Sequence, residues 1–85
     1  MSCLVWGVEQ EVGYSRFIQR WAQDLHITGY IEQMSAGQLE IVAEGHPQDL
    51  ERLLHWVRQG LGRGQVKEVQ VEWSEATGTQ DFYMY

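Results

Sequence analysis

The residues best placed to do chemistry lie in Gly7-Val8-Glu9-Gln10-Glu11-Val12-Gly13-Tyr14-Ser15-Arg16. This stretch follows the apolar run Cys3-Leu4-Val5-Trp6 and precedes a helical pattern that opens at Tyr14 or Ser15. It therefore reads as a strand-to-helix turn with a glycine near each end. Such a turn points backbone N–H groups and the positive end of a helix dipole at one spot, which suits an anion. The side chains Glu9 and Glu11 oppose that use, because they bring negative charge to a place shaped for it.

Other chemistry-bearing residues are dispersed. His26, His46 and His55 form no H-x-H or H-x-x-x-H pair, so no metal is expected, since a metal site needs several converging ligands. Ser15 has no His or Asp beside it and sits in no G-x-S-x-G elbow, which argues against a serine nucleophile. Gly60-Leu61-Gly62-Arg63-Gly64 is glycine-rich. It follows a helix and precedes a strand, the wrong polarity for a phosphate cradle, and reads as a connector. Cys3 is the single cysteine. It excludes an internal disulfide and is expected to be a half-buried strand thiol.

The elements that must position the turn follow from periodicity. Residues 2–6 form a first strand, nearly all apolar as in a central strand. Tyr14, Phe17, Ile18, Trp21, Ala22 and Leu25 recur at helical spacing and form one core-facing stripe, with Gly29 as the helix breaker. Residues 30–34 read as a second strand and 38–44 as a third, antiparallel to it across a turn containing Gly37. Pro47 opens a second helix whose Leu50, Leu53, Leu54 and Val57 point inward, and Gly60 stops it. Residues 66–73 alternate as a fourth strand, residues 74–79 as a turn, and residues 82–85 as a short fifth strand at an edge. The order β-α-β-β-α-β is the α+β, ferredoxin-like sandwich: an antiparallel sheet with two helices on one face and Glu, Gln and Lys on the other. The plan itself hosts many activities.

With 85 residues, the expectation is one domain over 1–85. A chain of this size hides roughly 60–65% of its unfolded surface, enough for one modest core layer. Twelve acidic residues against six basic ones give a net charge of −6. That balance disfavours nucleic acid and anionic membrane surfaces, both of which are held by clustered Lys and Arg. The sheet face lacks the aromatic-plus-basic pattern of an RNA-binding module. No signal peptide and no apolar run of membrane-spanning length are visible, so a soluble, cytoplasmic, monomeric protein is expected.

The first turn also carries a resemblance. Acylphosphatases have the signature G-x-V-Q-G-V-x-F-R between first strand and first helix, and Gly7, Gln10 and Val12 match it, with Tyr14 as an aromatic replacement. The stretch from Leu25 to Tyr30 resembles the family's L-G-L-x-G-W/Y, with His26 in place of a glycine. The stretch from Gly37 to Gly45 resembles its D-G-x-V-E-x-x-x-x-G. Residues 53–60, 66–69 and 81–85 resemble its second helix and last strands. The resemblance covers the whole chain and implies the same ferredoxin-like fold. It implies hydrolysis of a carboxyl-phosphate anhydride with no metal or cofactor, with acyl phosphate or inorganic phosphate as the small-molecule partner. In such a protein, the loop at Val8, Glu9, Gln10, Glu11, Val12, Gly13 and Tyr14 would hold the phosphate.

Two side chains depart from the family pattern. Its phosphate-binding arginine falls at Ser15, and its water-positioning asparagine at Gln33. Glu11 stands at the signature's middle glycine, and Glu9 at its first valine. Serine cannot copy a bidentate guanidinium, and an arginine that stabilises a transferring phosphoryl group is worth ~10³-fold or more in rate. Arg16 is adjacent, but one residue along a helix turns the side chain by about 100°. Gln33 keeps the amide but adds a methylene, and a shift of ~1 Å in a positioned group can cost ~10²-fold. A Glu11 carboxylate ~4–6 Å from a phosphate would cost a few kcal/mol at an effective dielectric near ~20. The expected activity is therefore weak or absent. The alternatives are an active acylphosphatase that relies on its backbone cradle, and a non-catalytic interaction or scaffold domain.

Overall fold

The computed structural model describes residues 1–8, 11–60, 66–74 and 82–84, without the side chains of residues 11, 12, 83 and 84. The elements run β1 (Ser2–Trp6), α1 (Glu11–Asp24), β2 (Thr28–Ser35), β3 (Gln38–Glu44), α2 (Pro47–Gln59), β4 (Glu68–Glu72) and β5 (Phe82–Met84). The sheet order is β4-β1-β3-β2-β5. The first four strands pair antiparallel, and β5 adds to β2 in parallel. This is the ferredoxin-like sandwich that the element order predicts, with the short fifth strand at the edge.

One face of the sheet is dry. Val5 pairs with Leu39 and with Val69, and Cys3 with Ile41 and with Val71, so apolar rows cross β4, β1 and β3. Ile31 extends the second row into β2. Tyr14, Ile18 and Ala22 of α1 and Leu50, Leu53, Leu54 and Val57 of α2 close over these rows. Alternation puts the intervening residues on the other face. There Glu32, Glu40, Glu68, Gln70 and Glu72 surround the half-buried Leu4, Trp6, Tyr30 and Val42, so that face is less polar than its charge pattern implies.

The helical stripe of α1 divides in two. Tyr14, Ile18 and Ala22 are fully buried, whereas Phe17, Trp21 and Leu25 are half-buried. Phe17 and Trp21 pack on Trp56 of α2 instead, edge-on at 5.8 Å and stacked at 4.6 Å between centroids. Cys3 is fully buried rather than half-buried. It lies on the dry row opposite Ile41, where both neighbours are apolar.

Boundaries near the turns differ from expectation for local reasons. The helix α1 begins at Glu11, not at Tyr14 or Ser15. Glu11 in the first turn is favoured by the helix dipole, so three more residues join the helix. The same helix stops before Gly29. Asp24 is its last residue, and the Leu25-His26 turn closes it: the N–H of Ile27 donates to the carbonyl of Ala22 (2.8 Å), and that of His26 to the carbonyl of Gln23 (3.1 Å). That is a Schellman motif with His26 in the left-handed position at φ 56°. Gly29 instead lies inside β2, where an added Cβ would sit 1.8 Å from the Val42 carbonyl oxygen. Both its lack of a Cβ and its φ of 141° suit glycine there. The expected loop at 61–64 and most of the turn at 74–79 lie outside the described residues.

Candidate phosphate-binding turn

The turn after β1 is clamped from both sides. Gly7 takes φ +78° and swings the chain off the sheet. On one side the Lys67 N–H donates to the Trp6 carbonyl at 2.9 Å. The Lys67 stem lies across Gly7, with Cβ, Cγ and Cδ 2.5–2.7 Å from where a Gly7 Cβ would stand. On the other side the Val8 N–H donates to the Gly37 carbonyl at 3.2 Å, which fastens the turn to the β2–β3 hairpin. That amide is thereby engaged within the protein. The amides of Glu11, Val12 and Gly13 open α1 and have no intrahelical acceptor, so they keep the donor capacity and the dipole of a helix N-terminus.

The remaining residues of the turn separate by role. Glu9 and Gln10 lie outside the described residues, as do the side chains of Glu11 and Val12. Gly13 is exposed. Tyr14 is fully buried, and its hydroxyl donates to the Val57 carbonyl at 2.7 Å. Its side chain ties α1 to the last turn of α2. Burial, and next the nearby Cys3, push its pKa above the ordinary tyrosine range. Ser15 is only 7% exposed. Its hydroxyl has no hydrogen-bond partner among the described residues. Arg16, one step on, is exposed.

Gln33 stands near the end of β2, exposed, and pairs with Leu39. Leu39 also pairs with Val5. Gln33, Leu39 and Val5 thus form one row across the sheet, two residues short of Gly7. Just beyond Gln33 the ladder slips before Ser35. The fold therefore brings the end of β2, the Gly7 turn and the first turn of α1 to the same end of the sandwich. At the opposite end His26, His46, Glu44 and Asp49 border one cleft, but no three metal-binding side chains among the described residues converge.

Sequence reasoning did not connect Lys67 or the Gly37 hairpin with the Gly7 turn. The usable signal was topological: in this fold the fourth strand lies beside the first, so residues just before β4 stand beside residues just after β1.

The architecture defines the class: a ferredoxin-like α+β sandwich with a strand–turn–helix anion geometry at one end. An acylphosphatase family model matches residues 1–84. The acylphosphatase of Deinococcus radiodurans is 45% identical over 85 residues, covering 100% of this chain and 98% of that protein. That of Thermus thermophilus is 42% identical over 82 residues, covering 96% and 93%. The crystal structure of acylphosphatase from Bacillus subtilis superposes with a TM-score of 0.86 at 26% identity, over 99% of this chain and 94% of that one. The chain belongs to the acylphosphatase family.

Proposed function

We propose that this protein is a single acylphosphatase-like domain that holds phosphate and acyl phosphates at the turn after β1 but hydrolyses them weakly or not at all. The reaction in question transfers a phosphoryl group to water. Water forms a bond to phosphorus, the bond from phosphorus to the bridging oxygen breaks, and carboxylate and phosphate leave. Rate in such a reaction comes from positioning the water and from neutralising charge on the equatorial oxygens. The amides that open α1 serve the second need in part.

The observation that carries the reading is Ser15. By the family signature it occupies the arginine position, and it is a short side chain, 7% exposed, in the first turns of α1. A hydroxyl there supplies no fork of donors and no charge. Gln33, at the position of the water-positioning asparagine, carries its amide one methylene further out. No metal, cofactor, nucleic acid or membrane enters this reading, and the protein acts as a monomer in the cytoplasm.

The test is hydrolysis of benzoyl phosphate, followed by its absorbance. The unmodified protein is expected to leave the rate within a few-fold of the spontaneous one. Turnover in the range of about 1–10³ s⁻¹, ordinary for enzymes, would overturn the reading in favour of an active acylphosphatase.

A further inference from the structure

We infer that Lys67 supplies the positive charge for a phosphate group at the Gly7 turn, where the arginine position holds Ser15. The inference rests on the phosphate-binding reading above and adds a residue to it. The Lys67 stem is laid over Gly7, the first residue of the turn, and only a glycine leaves room for it there. Its backbone is held by the hydrogen bond to Trp6, so the stem starts from a fixed point. The stem carries the ammonium two bonds beyond Cδ, within a side-chain length of the turn. Lys67 is exposed, so its side chain reaches solvent at the edge of the turn.

The sequence around the turn is otherwise acidic. Glu9 and Glu11 lie in or beside the turn and Glu68 follows Lys67 in the chain. Ser15, in the first turns of α1, adds a buried hydroxyl with no partner among the described residues. A lysine binds phosphate as a mobile point charge, not through the rigid fork of an arginine. It therefore holds substrate and transition state about equally, which strengthens binding without raising the rate of the chemical step. Phosphate binding that survives the loss of fast hydrolysis is what this arrangement yields.

The experiment is a titration with inorganic phosphate, followed by amide NMR of Gly7, Val8, Gly13 and Ser15 and by the ε-methylene signal of Lys67. The variants are Lys67→Met, which keeps the stem over Gly7 and removes the charge, Lys67→Arg, and Arg16→Gln. In the unmodified protein these signals shift together with one Kd. Lys67→Met weakens that Kd roughly tenfold, the cost of one charged contact, while the unfolding midpoint stays put. Lys67→Arg restores most of the affinity, and Arg16→Gln leaves it unchanged. If amides shift but Lys67→Met binds as tightly as the unmodified chain, or the ε-methylene stays silent, the role of Lys67 is overturned and the phosphate-binding reading stands. If Arg16→Gln alone abolishes binding, the cation is Arg16 and the inference is wrong. If no amide of the unmodified protein shifts, the phosphate-binding reading falls and takes this one with it.

Discussion

His26 closes α1 in the left-handed conformation, at φ 56°. A non-glycine residue there carries a steric cost of about 1–2 kcal/mol. The residue is exposed, and its backbone bonds are those of the Schellman motif, which any residue can make. Replacing His26→Gly is expected to raise the unfolding free energy by about 1 kcal/mol, offset in part by the flexibility of glycine when unfolded. Chemical denaturation of the two proteins checks this, and an unchanged or lower midpoint would contradict it. The sequence shows where this residue sits, because the family resemblance has a glycine at His26. Ser15 and Gln33 are visible for the same reason, since a signature fixes positions one by one. Lys67 is not, because its contact with Gly7 joins residues sixty apart, and no local pattern carries that.

Among the elements, α1 is the one whose reading changed most. Its apolar spacing places it correctly, but that spacing starts at Tyr14, and the three residues before it join the helix with Glu11 in the first turn, where negative charge is favoured. The turn is therefore shorter than the sequence suggests, and the amides of Glu11, Val12 and Gly13 belong to a helix, not to a loop. The third strand and the second helix have the bounds expected, because alternation, Pro47 and Gly60 mark their ends. The parallel pairing of β5 with β2 has no local signal, since a three-residue strand does not reveal its direction. Beside the packing of Phe17 and Trp21 on Trp56, α1 is tied to α2 by a buried bond from the Tyr14 hydroxyl to the Val57 carbonyl at 2.7 Å. Tyr14→Phe keeps the ring and strands that carbonyl, so a loss of about 1–3 kcal/mol is expected by denaturant unfolding. A change within error would show that another donor takes over the carbonyl.

For the molecule as a whole, the dry side of the sheet sets its response to alkali. Burial raises the Cys3 pKa from 9.0 to about 11, the N-terminal ammonium and Arg58 pulling partly the other way. Tyr14 is raised in the same direction. Both groups stay protonated in the fold after the unfolded chain has begun to ionise. The Cys3 contribution is fully present below pH 9.0, the unfolded thiol's pKa, and is lost as pH rises to about 11, while that of Tyr14 starts to be lost only above pH 10.0. The Cys3 share is on the order of 2–3 kcal/mol across that window. Thermal unfolding at a series of pH values is expected to show the midpoint falling above pH 9, with a shallower fall in Cys3→Ala. An unchanged slope in that variant would place the alkaline sensitivity elsewhere.

At the same scale, the fold is that of the acylphosphatase family, and on the proposed reading the side chains that make the family fast have been exchanged. The most direct measurement is the rate of benzoyl phosphate hydrolysis by the double variant Ser15→Arg with Gln33→Asn, set against the unmodified protein under one condition. A gain of ~10³-fold or more is expected, because an arginine on the phosphoryl oxygens is worth that much. If the unmodified protein already turns over at an enzyme-like rate, or the double variant gains nothing while still folded, the account is contradicted.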